Sequence, residues 1–296
     1  MMEWIEAKSL LSKVSFNGDL WFGIDYIMNL YKGCNHRCIY CDSRSDKYFI
    51  ESFDRVRGKK NSEGLLYFEL KKHKTGVINF GAMSDAYNSE ELREGLTRNA
   101  LKKIAEFGYG ISIETKSNQI IRDVGLIQKI QENHSASIKL SITTADDKLS
   151  RIIEPGVCVS SKRFEAIRKL SDAGIYTGVL LTPVLPYITD TVENIEAIVK
   201  KASESGASFI YAQFGMTMRR GQREHYFEAL DHHFPGLKER YQRSYGDNYG
   251  CEAKNSKELA KAFVENCEKY GLLYKMEDIV KATPKKKTME QLSLFS

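Results

Sequence analysis

Three thiols stand close together near the start of the chain, in the run Gly33-Cys34-Asn35-His36-Arg37-Cys38-Ile39-Tyr40-Cys41. Their spacing is CxxxCxxC. A loop of that length can place one thiolate on each of three irons of a cubic four-iron, four-sulfur (4Fe-4S) cluster and leave the fourth iron without a protein ligand. Clusters held for electron transfer alone usually have four cysteines, so an open iron points to a substrate or cosubstrate bound at the metal. The same residues allow two plainer readings, a zinc knuckle or three unrelated buried thiols. Zinc sites usually pair CxxC with a second pair of Cys or His further along, and no second pair is present. Cys34, Cys38 and Cys41 are therefore read as metal ligands. His36 and Arg37 offer donors to cluster sulfurs or to a substrate phosphate, although His36 reads first as exposed loop polarity.

The elements that must position such a loop are visible in the rest of the chain. Its 296 residues suffice for one α/β barrel-sized domain with a short appendage. Composition is that of an ordinary globular protein, 42% hydrophobic and 28% charged with 5 prolines. No apolar stretch approaches the roughly 20 residues that cross a bilayer, and Met1-Met2-Glu3-Trp4-Ile5-Glu6 lacks the regions of a signal peptide. Six cysteines in a chain this long do not make a disulfide scaffold. A cluster that must be reduced implies a cytoplasmic setting and an external electron donor. A net charge of +5 permits a nucleic-acid partner and decides nothing by itself.

Short β-branched runs alternate with helical periodicity. The strands are expected at Ile24–Leu30, Val77–Phe80, Gly110–Thr115, Ile138–Thr143, Tyr176–Leu181 and Phe209–Gln213. Helices are expected over Glu90–Phe107, Ile120–Asn133, Ser161–Ala173 and Thr191–Ser205, with Gly108, Gly174 and Gly206 as left-handed caps. This alternation implies parallel βαβ units and an α/β fold, a partial (β/α)6 barrel with its chemistry at the C-terminal ends of the strands. The cysteine loop follows the first strand directly, at that end. Residues 42–75 read as an insertion or extended loop. Three segments follow: a barrel over 1–215, a helical extension over 216–274 with helices at roughly 221–245 and 255–271, and a flexible tail over 275–296.

With the loop and these strand ends in place, the chain resembles the spore photoproduct lyase-like branch of the radical S-adenosylmethionine (SAM) superfamily. The resemblance rests on CxxxCxxC with the aromatic Tyr40 before the last cysteine, on Ser84-Asp85-Ala86-Tyr87, Glu114-Thr115-Lys116-Ser117, Ser141-Ile142-Thr143-Thr144 and Glu154-Pro155-Gly156. It covers most of residues 20–270. It implies that SAM chelates the open iron and that its reductive cleavage gives a 5′-deoxyadenosyl radical, which abstracts a hydrogen atom from substrate. It also implies a SAM site made of Tyr40, Gly81, Ser84, Lys116 and Ser141, where Gly81 lets backbone carbonyls approach the methionyl amine and Lys116 and Ser141 contact the carboxylate and ribose. The lyase proper returns hydrogen from a cysteine just before a Ser/Thr-Asp pair. Here that segment reads Gly81-Ala82-Met83-Ser84-Asp85, with no thiol. Cys158 and Cys251 are the remaining candidates for a hydrogen donor.

Two further features bear on a partner. The run Met218-Arg219-Arg220-Gly221-Gln222-Arg223, with Lys238, Arg240 and Arg243, is interleaved with Tyr226, Phe227, Tyr241 and Tyr245. It suits phosphate contacts and base stacking, and equally an amphipathic helix with a charged outer face. The chain ends Gln291-Leu292-Ser293-Leu294-Phe295-Ser296 behind Pro284-Lys285-Lys286-Lys287, which resembles the bacterial sliding-clamp-binding motif. Gln291, Leu292, Leu294 and Phe295 would be the anchors for that partner. The expected activity is hydrogen abstraction from a DNA lesion or base, in DNA repair or modification. The rival readings are a radical SAM enzyme acting on RNA, protein or a small molecule, and a noncatalytic iron–sulfur DNA-binding module.

Overall fold

The computed structural model describes residues 2–284. Six parallel strands form its centre: β1 (Tyr26–Met28), β2 (Val77–Phe80), β3 (Gly110–Thr115), β4 (Ala136–Ser141), β5 (Tyr176–Leu181) and β6 (Phe209–Ala212), paired in that order. A short antiparallel strand, Leu11–Lys13, pairs with β1 and ends the sheet. No pairing joins it to β6 among the described residues, so the barrel is partial, as expected.

The two faces of this sheet differ in chemistry. Met28, Ile78, Phe80, Ile111, Ile113, Ile138, Leu140, Val179 and Leu181 face the helices and are buried in one continuous core. The opposite face, at Asn79, Ser112, Glu114, Ser137, Lys139 and Ser141, is polar and lines the inside of the barrel, where such folds usually stack branched apolar side chains. The helices over the outer face are α1 (Ser62–Lys72), α2 (Leu96–Phe107), α3 (Val124–Asn133), α4 (Ser160–Asp172) and α5 (Val192–Glu204). Each lies within a crossover between two parallel strands, the connection such a pair demands.

Helix α1 corrects the expectation for residues 42–75. It buries Leu66 and Leu70 against α2 and is the first crossover helix, while Arg57–Lys59 just before it pairs with Glu3–Ile5 and Tyr31–Lys32 in a small separate sheet. Its apolar residues lie on more than one side, with Phe68 exposed, so no single stripe marks the helix. Two other helices are broken where one was expected. Gly95, at φ 67°, ends a short turn over Glu91–Glu94 before α2 begins. Pro235 and Gly236, the latter at φ 85°, divide α6 (Gln222–His233) from α7 (Leu237–Tyr245).

Helices α6 and α7 share a core with the cysteine loop: Tyr226, Leu230 and Tyr241 pack with Cys38, Ile39, Tyr40, Ile153 and Met218. Helix α8 (Ser256–Tyr270) lies against α5. Where a linker is expected from Lys275, the chain forms α9 (Met276–Ala282), whose Ile279 is buried with Phe22, Tyr176 and Phe209 over the N-terminal end of the barrel. The Tyr176 hydroxyl donates to the Ile279 carbonyl at 3.0 Å and fixes that cover. Residues 285–296, including the Gln291–Phe295 peptide, lie outside the described residues.

Candidate active site

A cavity of about 340 Å³ opens at the C-terminal ends of the parallel strands. Cys34, Cys38 and Cys41 line it from the loop after β1, Gly81 and Asp85 from beyond β2, Glu114 and Lys116 from the end of β3, and Ser141 from the end of β4. All three cysteines are free thiols. No three His, Cys, Asp or Glu side chains among the described residues converge as ligands of one metal ion would. A polynuclear cluster makes no such demand, since its irons take one thiolate each.

The loop is fixed by backbone bonds to distant segments. Cys34 N–H donates to Phe53 O at 2.8 Å, Ile39 N–H to Ile153 O at 3.0 Å, and Gly156 N–H to His36 O at 2.9 Å. A side chain at Gly156 would strike the Asn35 and His36 carbonyls, so the Glu154-Pro155-Gly156 segment can press directly on the loop. His36 is a correction. It is 4% exposed, with Nδ1 3.4 Å from Asp85 Oδ2. Burial opposes its charge, but the neighbouring Cys34 thiolate and Asp85 outweigh that and raise its pKa to about 9. Burial likewise opposes ionisation of Cys34, yet His36 holds that thiol below its usual value. Burial pushes the Cys38 and Cys41 thiols up. Arg37, at φ 53°, is exposed at the loop tip.

Tyr40 lines the cavity with its ring, while its hydroxyl donates into a buried network. Glu154 Oε1 accepts that hydroxyl and also the Thr143 hydroxyl at 3.4 Å. Arg163 Nη1 stands 2.5 Å from Glu154 Oε2, off the hydrogen-bonding direction, so this oxygen is charge-compensated but not hydrogen-bonded. Nη1 donates instead to the Ser141 carbonyl at 2.9 Å, and Nε and Nη2 donate to the Cys158 carbonyl at 3.0 and 2.7 Å. Burial opposes the Glu154 charge, and Arg163 and Lys116 hold its carboxyl below the usual range nonetheless. Lys116 Nζ lies 5.7 Å from the Tyr40 ring centroid. Burial opposes its charge too, but Cys38 and Glu154 raise its pKa.

Asp85 organises the end of β3. Its carboxylate accepts the Tyr87 N–H at 2.8 Å, the Thr115 hydroxyl at 2.7 Å and the Lys116 N–H at 2.9 Å. Gly81 sits at φ 92°, and a side chain there would collide with the Glu114 carbonyl. Only glycine gives the backbone this approach to β3 at low strain. Of the expected SAM residues, Tyr40, Gly81, Lys116 and Ser141 share the cavity. Ser84 is buried with its hydroxyl unpartnered, and Asp85 takes the cavity position beside it. The candidate donors stand apart from the cavity wall. Cys158 is half-buried with Sγ 3.4 Å from the Lys116 carbonyl, and Cys251 is buried on the strand Gly250–Glu252 opposite Met216. Burial raises both thiols, Cys251 to about 12.

Residues 28–202 match the sequence profile of the radical SAM superfamily. The chain belongs to that superfamily. Among relatives in sequence, an uncharacterised protein of Mycobacterium tuberculosis (strain ATCC 25618 / H37Rv) is 29% identical over 247 residues, 81% of this chain and 72% of the relative. An uncharacterised Methanocaldococcus jannaschii protein is 30% identical over 229 residues, 76% of this chain and 83% of its own. Among solved structures, spore photoproduct lyase complexed with dinucleoside spore photoproduct superposes with a TM-score of 0.65 at 17% identity, over 92% of this chain and 81% of the lyase. That likeness establishes the radical SAM half-barrel here. The superfamily's cofactors are SAM and a 4Fe-4S cluster, and the residues fit them: three free thiols on one wall, a cation at Lys116 beside them, and a glycine cradle at Gly81.

Sequence reasoning missed Glu154, Arg163, Thr143, Glu114 and Asp85 as individual site residues. Arg163 carried a signal. It precedes Ile167 and Leu170 on the buried face of α4, at the spacing of an apolar stripe where an arginine is out of place.

Proposed function

We propose that this chain is a radical SAM enzyme that abstracts hydrogen from a DNA lesion or base, in lyase-like repair or modification. The observation that carries the reading is the convergence of three free cysteines, Lys116 and Ser141 on one cavity at the strand ends. Cys34, Cys38 and Cys41 would hold the cluster, and Gly81, Lys116, Ser141 and the Tyr40 ring would surround SAM. Bound there, the two cofactors supply a carbon-centred radical. The protein's own work is to orient and to exclude water. Asp85 fixes the backbone that carries Lys116, and the buried core of α6 and α7 closes over the loop.

Support for DNA comes from three sides. The lyase that shares this fold is seen with a dinucleoside photoproduct. Arg219, Arg220 and Arg223 line a groove beside the cavity together with Tyr249 and Lys47, a set suited to phosphates and bases. The Gln291–Phe295 peptide would tether the enzyme to the sliding clamp. Reduced protein, SAM and UV-irradiated DNA carrying deuterated thymine should give deuterated 5′-deoxyadenosine. SAM cleavage without deuterium transfer would remove the DNA substrate and leave the enzyme class, while cleavage persisting in Cys34→Ala would overturn the ligand assignment. Clamp capture should disappear on deleting residues 291–295.

A further inference from the structure

The pair Glu154–Arg163 is a larger investment than a loop anchor requires. Both side chains are buried, at 1% and 0% exposure. Arg163 already has three carbonyl bonds in place, and Tyr40 and Thr143 already meet a single oxygen of Glu154. A neutral glutamine could accept those two hydroxyls equally well. What glutamine could not supply is the charge. That charge stands at the cysteine loop: Glu154 meets the hydroxyl of Tyr40, which lies between Cys38 and Cys41, and the adjacent Ile153 carbonyl accepts the Ile39 N–H at 3.0 Å. Arg163 stands behind Glu154, held by the carbonyls of Ser141 and Cys158.

From this placement we propose that Glu154 sets the reduction potential of the cluster, with Arg163 as the group that keeps its carboxylate ionised and in position. The inference rests on the cluster reading above. A fixed negative charge near one thiolate disfavours adding an electron and so lowers the potential. Lowering it makes the reduced cluster a stronger reductant, which the reductive cleavage of SAM requires. Lys116 on the same wall acts in the opposite sense, so the potential reflects a balance between the two charges. Glu154 and Arg163 are positioning residues here, since neither lines the cavity.

The test is a redox titration followed by electron paramagnetic resonance on anaerobically reconstituted protein, with iron and sulfide counted in each sample. Glu154→Gln should raise the midpoint potential, shifting the reduced-to-oxidised ratio on the order of tenfold, about 59 mV for a one-electron couple. Because Glu154→Gln leaves Arg163 unpaired and can weaken folding, the double variant Glu154→Gln/Arg163→Met, which has no unpaired buried charge, should still show a rise, smaller because the opposite charge of Arg163 goes with it. Tyr40→Phe removes the hydroxyl but keeps the charge, and should leave the potential close to that of the parent. An unchanged potential in cluster-loaded double variant would overturn the proposal. So would loss of the cluster from both Glu154 variants, since the carboxylate would then be a structural anchor only. A parent protein that takes up no iron would instead defeat the cluster reading itself.

Discussion

Two rims flank one cavity and are built from ionic groups in opposite ways. On the cysteine side, Glu154 and Arg163 are sealed from water and bound by Tyr40, Thr143 and two backbone carbonyls. On the outer side, Arg219 pairs with a partly exposed Asp42, and Arg220 with Asp46 and Arg223 with Asp247, both aspartates exposed. The buried pair has no water to fall back on, so its geometry is fixed and its charges act over distance. The exposed pairs are screened and exchange partners readily. On the proposed function the contrast would be a division of labour: the sealed rim would define the cofactor environment, and the wet rim would trade its carboxylates for the phosphates of a substrate.

The first way to break this contrast is to remove one half of the sealed pair. Arg163→Met leaves Glu154 buried without its contacting counter-charge, Lys116 alone remaining, and frees the Ser141 and Cys158 carbonyls. The expected cost is about 3–5 kcal/mol, measured by denaturant unfolding of the apoprotein. A loss below about 1 kcal/mol, the range of surface pairs, would show that water reaches Glu154 after all.

Lys139 sharpens the comparison, as a buried charge without the compensation that Glu154 enjoys. It sits inside the barrel, hydrogen-bonded to Ser112 and 4.5 Å from the Phe22 ring centroid. The nearest carboxylate, Glu114, is itself held by the Trp21 indole at 2.9 Å. Burial lowers the Lys139 pKa from 10.5 to about 8, against the pull of Glu114. The folded protein therefore releases this proton before the unfolded chain does. Below pH 8 the cost of the buried charge is fully present, and stability gains from this group as pH rises from about 8 to 10.5. Lys139→Met should stabilise the fold at pH 7 by up to about 3 kcal/mol. The difference between parent and variant should shrink across that alkaline window. A difference that stays constant from pH 7 to 10 would mean Lys139 is neutral or well paired throughout.

The same contrast explains what was legible in the chain. All six barrel strands were placed from β-branched runs, the fourth two residues late, because a strand buried on its helix-facing side repeats apolar residues at every second position. The cysteine loop was legible because ligand spacing is local. Glu154 and Arg163 lie 113 or more residues beyond the loop they support, and nothing in a single sequence couples positions so far apart. Ser84 was misplaced by one residue: a short motif marks the loop but not which side chain turns inward. Helix α1 was hidden because Leu65, Tyr67 and the exposed Phe68 put apolar residues off the buried side of Leu66 and Leu70 and blur the helical period.

The smallest expected effect lies on the wet rim, and it is diagnostic for that reason. Arg220 is 88% exposed and its partner Asp46 is 62% exposed, at 3.2 Å. Arg220→Ala should change stability by no more than about 0.5 kcal/mol. If the rim meets a nucleic-acid backbone, the same substitution should weaken single-stranded DNA binding about equally for every sequence tested. It should also reduce the slope of log affinity against log salt by about one counterion. Arg163→Met, compared at matched folded concentration, should leave that slope alone, because a sealed arginine meets no phosphate. If Arg220→Ala leaves the salt slope unchanged as well, then Asp46 already satisfies Arg220 in the complex, and the outer pairs hold the loop at residues 42–48 rather than a strand of DNA.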